Sequence, residues 1–418
     1  MRAPSNLSVF AAMAFAAAAL PAAAQTAADG VAPEVSLRAG LWSQPRDLGD
    51  PGVVSAAAFA VRIAPRLSGD LDAKAEARLQ ADSQGDTDAD LPEAWIRAVE
   101  GPVRLTVGRQ IVAWGRADRL NPTDVVGSRD YTRLLADDDE QRRGSLMAQV
   151  SYGEGPWTLS ALWLPEFRAN RFPVDTAPAG VVILANQHVR DRGQFAARID
   201  HIGGGLDWSL SYFDGRDRTR DIVAVAPPPS APRGVFGAVQ AEYPSVRVLG
   251  GDLAGVAGPY GFRAEAAFTD VRGPDTPFRK RDVFWAVVGG DRTFDSGWNV
   301  NLQYSFRRVF GDRDPGANPF LQAVALTSAA VNNQLDRTQH GFTARVARSW
   351  LHDTLDFECS AAVFAPTGDV TIRPRLTYAV SDQWRATLGA DVFRGPKLSY
   401  FGRVKDLSAA YIQFAYGF

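Results

Sequence analysis

Strict alternation of apolar and polar residues recurs along almost the whole chain. In LDAKAEARLQAD, Leu71, Ala73, Ala75, Ala77 and Leu79 fall on one side, and Asp72, Lys74, Glu76, Arg78 and Gln80 on the other. A period of two belongs to a strand with one oily face, and a helix cannot produce it. WNVNLQYSF repeats the pattern, setting Trp298, Val300, Leu302, Tyr304 and Phe306 against Asn299, Asn301, Gln303 and Ser305. WTLSALW, LDFECSAAVF and DVTIRPRLTYAV read the same way.

The breaks come in two sizes that take turns. Tight turns are expected at Ser68-Gly69, Gly101-Pro102, Gly153 to Gly155, Gly203 to Gly205, Gly258-Pro259, Asp295 to Gly297, His352-Asp353 and Ser381-Asp382. Longer polar segments lie between them, near 44–52, 82–90, 115–143, 168–190, 215–243, 272–280, 311–340, 365–369 and 395–406. The count is about eighteen strands, or sixteen, of roughly ten to thirteen residues, with short turns at one end and long loops at the other. This predicts an all-β fold, a transmembrane antiparallel up-and-down β-barrel. A soluble sandwich or propeller would have strands nearer six residues long. Aromatics near strand ends, among them Trp157, Trp163, Trp208, Trp298, Trp350 and Trp384, suit a girdle at each membrane interface.

The chain opens with MRAPSNLSVFAAMAFAAAALPAAAQ, the charged start, apolar stretch and small-residue exit of a secretory signal peptide. Residues 1–24 are therefore expected to be removed, leaving 25–418 as one barrel domain whose first strand begins near 33, too soon for a plug domain. Although 46% of residues are hydrophobic, no other stretch of eighteen or so runs unbroken, which argues against membrane helices. The single cysteine, Cys359, cannot make an internal disulfide. A net charge of −2 argues against a nucleic-acid partner.

The chain ends YIQFAYGF. Ile412, Phe414, Tyr416 and Phe418 are expected to face lipid, and Tyr411 and Gln413 the lumen, with the strand pairing to both its predecessor and the first strand so that no edge remains free. This ending resembles the C-terminal signal of Gram-negative outer-membrane proteins, which implies the barrel-assembly machinery as a partner and the outer membrane as the location. A second resemblance lies in VGRQIVAWGRADRLNPTD, with Gly108, Arg109, Gln110, Trp114, Gly115, Asn121, Pro122 and Asp124. It is similar to a strand-plus-loop segment of porin-like barrels related to the alginate-export family, which implies an outer-membrane pore.

Parity collects the charged residues on the inner face. Lys74, Arg78, Arg97, Arg104, Arg198, Arg263, Glu265, Arg307, Arg345, Arg373, Arg375 and Arg385 are the candidate pore-lining residues. A basic side chain facing lipid near the midplane would cost about 2–4 kcal/mol, so these must meet water or one another. Two readings stay open: a lumen stitched shut by ion pairs, or a wet channel whose late-strand arginines favour anionic or hydroxyl-rich solutes. The segment GRADRLNPTDVVGSRDYTRLLADDDEQRRG is the candidate constriction loop. It carries Arg116, Arg119, Asp124, Arg129 and Arg133 ahead of Asp137, Asp138, Asp139 and Glu140. Folded inward it would narrow a pore; left outside, its charges would be solvated. Within 311–340, NPFLQAVALTSAAVNNQL suits a short helix.

The four histidines, His188, His201, His340 and His352, sit in loops, rims or turns and form no triad or metal spacing. The expectation is therefore no enzyme and no cofactor. The favoured function is passive passage or export of polar, anionic or saccharide-like solutes, polysaccharides included. The alternatives are a closed barrel serving as a surface scaffold, or an outer-membrane hydrolase with His188 or His340 in a loop-borne site. The solute, its direction of movement and the choice between monomer and trimer are not written in the chain.

Overall fold

The computed structural model describes residues 33–46, 52–134, 136, 138–173, 180–184 and 193–417. The proposed signal peptide, Asp137, His188 and Phe418 lie outside them, as does the side chain of Asp138.

Eighteen antiparallel strands form one closed sheet. In chain order they are β1 (Glu34–Trp42), β2 (Val54–Ile63), β3 (Leu71–Asp82), β4 (Thr87–Glu100), β5 (Val103–Gln110), β6 (Ser145–Glu154), β7 (Trp157–Leu164), β8 (Gln194–His201), β9 (Leu206–Arg216), β10 (Ser245–Ala257), β11 (Tyr260–Arg272), β12 (Val283–Thr293), β13 (Asn299–Val309), β14 (Thr338–Trp350), β15 (Leu355–Ala365), β16 (Asp369–Ala379), β17 (Trp384–Arg394) and β18 (Ala409–Gly417). Each pairs with its sequence neighbour, and β18 pairs with β1 from Trp42 opposite Tyr411 to Ser36 opposite Gly417. Closure satisfies the backbone groups that a terminal strand would otherwise present to lipid.

The wall is apolar outside and polar inside. On β13, Leu302 is 59% exposed, while its neighbours Asn301 and Gln303 are each 4% exposed. A soluble sandwich would reverse that order, so the exterior is built for hydrocarbon. On β18, Ile412 and Phe414 face outward while Tyr411 and Gln413 are buried inside.

Three of the short turns have two residues, Gly-Pro in each case: 101–102, 155–156 and 258–259. Their glycines have φ of 56°, 57° and 59°. That is the sign a type II′ hairpin requires at its first central residue, and the following proline already holds the φ of the second. One expected long loop is much shorter than 82–90. The Asp82 carboxylate accepts from the backbone N–H of Gln84 and of Asp86 at 2.9 and 3.1 Å, closing a four-residue turn before β4 resumes at Thr87.

The long loops cap the opposite end. Val181–Ile183 pairs with Gly237–Glu242, which pairs with Asp221–Val225. Beside this small sheet lies helix α1 (Pro319–Val331), capped by Asn318, whose side chain accepts from the N–H of Phe320 at 2.9 Å. The Ser328 hydroxyl ties helix to sheet by accepting from Ile222 N at 3.1 Å.

Candidate functional site

The segment between β5 and β6, residues 111–144, folds into the barrel and touches walls far apart around it. Its first part docks on β10 and β11. The buried carboxylate of Glu265 accepts hydrogen bonds from the backbone N–H of Arg116 and Ala117, both at 3.1 Å, from that of Thr123 at 2.7 Å, and from the Thr123 hydroxyl at 2.8 Å. Arg116 also pairs with Asp252, which holds Arg198 at 2.9 Å. Beneath this polar anchor, Trp114 and Val126 pack with Met147, Leu162, Leu164, Phe213, Val246 and Val248 in an apolar cluster on the inner face of the wall.

The middle of the loop reaches across. Arg119 meets Glu358 on β15 at 2.6 Å, and the same carboxylate takes Arg345 at 2.7 Å and Arg375 at 3.5 Å. Asp124 stays within the loop, pairing with Arg129 at 3.1 Å and Arg142 at 2.9 Å. The far end returns to the seam. Leu134 and Ala136 pack with Trp42, Val54, Ala56 and Tyr411. Arg133 pairs with Asp90 at 3.0 Å, and Glu140 pairs with Arg38.

Loop and wall enclose a cavity of 1460 Å³. Of the wall residues expected on sequence grounds, Arg263, Arg307, Arg345, Arg373 and Arg375 line it, and of the loop residues Arg116, Arg119, Asp124, Arg129 and Asp139 do. The others lie elsewhere for a physical reason: parity puts a residue on the inner face but cannot tell which inner positions the loop roofs over. Glu265, Arg198 and Arg78 are under the loop, Arg78 donating to the Glu140 carbonyl at 2.8 Å. Lys74 pairs with Glu93, and Arg97 with Asp72 at 3.7 Å, along the wall. Arg104 and Arg385 are exposed beside the short turns, and Arg133 and Glu140 serve as loop anchors.

Sequence reasoning missed the basic residues that the other loops bring to the cavity: Arg46, Arg216, Arg218, Arg220, Lys280, Arg281 and Arg403. The signal was present in Arg216-Asp217-Arg218-Thr219-Arg220, a dense charge pattern just as a strand ends. Arg218 is buried and donates to the carbonyls of Val126 and Arg168 at 2.9 and 3.2 Å, tying three loops together. Burial pushes its guanidinium down to about 10. Burial, with Arg281 nearby, does the same to Arg313, which donates to the Gln334 carbonyl at 3.0 Å.

Counting the lining gives sixteen Arg or Lys against eight Asp or Glu. Several of the acids are shared. Glu358 serves three arginines, and Asp391 serves Arg46 at 2.8 Å and Arg373 at 2.5 Å. Arg116 and Arg281 find their acids just outside the lining, in Asp252 and Asp275, so the positive surplus that remains after the ion pairs are made is smaller than the lining alone gives. Its walls can offer planar, bidentate donors to an oxyanion.

The described histidines, His201, His340 and His352, lie outside this arrangement. His201 stacks on Trp208 with Trp157 edge-on, and His340, on the outward face of β14, shares a 2.7 Å hydrogen bond with the Tyr304 hydroxyl. Among the described residues neither has a serine or carboxylate partner.

No protein-family model matches the chain, and no curated protein does. Solved structures do match. Pseudomonas aeruginosa OpdK, an outer membrane protein, aligns with a TM-score of 0.57 at 10% identity, covering 93% of this chain and 99% of that one. The fold is that of an outer-membrane porin. P. aeruginosa OccK11 (OpdR) aligns with a TM-score of 0.54 at 14% identity over 93% and 95% of the two chains. Acinetobacter baumannii OccAB1 gives 0.56 at 8% identity over 93% and 96%. The eighteen-stranded sheet of this chain thus has the fold of these outer-membrane proteins, and its inside-out wall independently fits a lipid-facing exterior. The comparisons do not show the alginate-export relationship that residues 107–124 suggested; what is shared is the porin architecture.

Proposed function

We propose that the chain is a selective outer-membrane pore for small polar anions, which move passively through the lumen past the inward loop. The observation that carries this reading is the twofold excess of basic over acidic side chains around the cavity. Such a surplus in a confined, partly desolvated passage raises the local concentration of anions and disfavours cations. The arginines add planar donors that a carboxylate can meet in pairs. One OpdK structure was determined with vanillate, so small organic carboxylates are the first solutes to try. Saccharides belong to a second tier, since hydroxyl groups gain less from a charged wall.

Planar-bilayer recording of the refolded barrel tests the proposal. Discrete conductance steps and a reversal potential of anion-selective sign in a KCl gradient are expected. A barrel that inserts without steps is a closed scaffold, and a cation-selective reversal potential overturns the choice of solute.

A further inference from the structure

We propose that the outside of the barrel carries a phospholipid-phosphate site at its inner-leaflet rim, built on Arg292 and Arg348. Both stand close to the short-turn end, which faces the periplasm in barrels of this kind. Both face lipid. Arg292 shares its side of β12 with Val288, and Arg348 shares its side of β14 with Phe342, and these two apolar residues are 54% and 59% exposed.

Each arginine rests on aromatic rings. The Arg292 guanidinium lies 5.1 Å from the Tyr260 ring and 4.7 Å from that of Phe294, and it donates to the Tyr260 hydroxyl at 2.8 Å. Arg348 lies 5.7 Å from the Trp298 ring and 5.1 Å from that of Trp350, with Phe357 opposite it in register. The two sites are joined around the wall by β13, since Val300 on that strand is the register partner of both Arg292 and Val346.

Neither guanidinium has a carboxylate partner among the described residues. Asp291, next to Arg292, points into the barrel and pairs with Arg263 at 2.9 Å. The Nε of Arg292 is buried and its Nη1 donates to Tyr260, so the Nη2 side of the guanidinium is the part an outside acceptor can meet. At the opposite rim three outward-facing arginines, Arg109, Arg247 and Arg272, pair with Glu166, Asp214 and Asp270 at 3.2, 2.8 and 3.1 Å, while Arg308 donates to the Thr338 hydroxyl. An arginine at headgroup depth needs a counter-charge, and the rings that flank these two hold the guanidinium in place while leaving its donor edge open. The phosphate of an inner-leaflet phospholipid supplies the missing acceptors in bidentate geometry. The site is independent of the pore reading.

Native mass spectrometry of the full, folded barrel in detergent with added phosphatidylglycerol tests this. The wild type is expected to retain one or two lipids through detergent stripping. Arg292→Gln with Arg348→Gln should lower lipid occupancy roughly thirtyfold, the factor that two interfacial arginines supply together. Heat-modifiable mobility on a gel verifies that the variant barrel is folded, and Arg247→Gln with Arg272→Gln at the other rim should bind lipid as the wild type does. Equal retention by the inner-rim variant, or loss only in the outer-rim variant, overturns the assignment. Inorganic phosphate should not displace the lipid; if it does so at millimolar concentration, the site takes free phosphate and the lipid assignment fails.

Discussion

Arg119 meets Glu358 at 2.6 Å although the two residues belong to opposite sides of the barrel. The loop that carries Arg119 leaves the wall between β5 and β6, and Glu358 stands on β15, about half-way round the eighteen strands. One carboxylate, with Arg345 and Arg375 also on it, thus pins the loop across the lumen and offsets part of the positive charge there.

Glu358→Gln removes that offset while keeping the shape. Three arginines lose their shared counter-charge, so the anion-to-cation permeability ratio should rise by about twofold, read as a shift in reversal potential. Conductance should rise as well if Arg119 lets go. An unchanged reversal potential would mean that solute does not pass this pair.

Glu265→Gln tests the other anchor. The carboxylate now receives four hydrogen bonds from Arg116, Ala117 and Thr123, and an amide presents an N–H₂ where an acceptor is required. Loss of charge-assisted bonds and the clash of donors should cost the docked loop about 3 kcal/mol. The expected outcome is flickering current of larger amplitude and proteolytic cleavage within 111–144, with the barrel still resistant to heat in gel electrophoresis. A quiet channel of wild-type conductance would show that the loop is held by other contacts.

The wall was legible because lipid imposes one rule on every strand. The alternation in 298–306 placed Leu302 outside and Asn301 and Gln303 inside, and the structure has them there. The aromatic ending at 411–416 fixed which way β18 faces for the same reason. The loop was harder, since its sequence is polar whichever side of the membrane it occupies. The cue lay on the wall: Met147, Leu162, Leu164, Phe213, Val246 and Val248 are apolar yet on the inner face. A water-filled lumen would not tolerate that patch, so something had to cover it. Charge position along the strands decided nothing about cover, which is why Glu265 and Arg198 were candidates for the pore lining although they lie under the loop.

Trp114→Ala addresses that cover. Trp114 is 7% exposed inside the cluster, and truncation of a buried tryptophan costs about 3–5 kcal/mol. Because the cluster belongs to the loop-to-wall contact and not to the strand ladder, the loss should fall on loop docking. Hydrogen exchange should accelerate in 111–130 while protection in β10 and β11 stays as in the wild type. Exchange that rises equally in the strands would mean that the loop is a structural part of the wall.

Arg373→Ala with Arg375→Ala bears most directly on solute choice. Both line the cavity, Arg373 sharing Asp391 with Arg46 and Arg375 sharing Glu358 with Arg345 and Arg119. Removing the two leaves Arg46 for Asp391 and two arginines for Glu358, so the pairing survives and the surplus shrinks. The permeability ratio should fall towards unity by about a factor of two, with the steepest effect at low salt, where screening is weakest. Arg104→Ala with Arg385→Ala removes the same formal charge from exposed positions beside the short turns, outside the cavity. That pair should leave the ratio almost unchanged. If both pairs shift it equally, selectivity follows total charge at the mouths and not the arginines beside the loop.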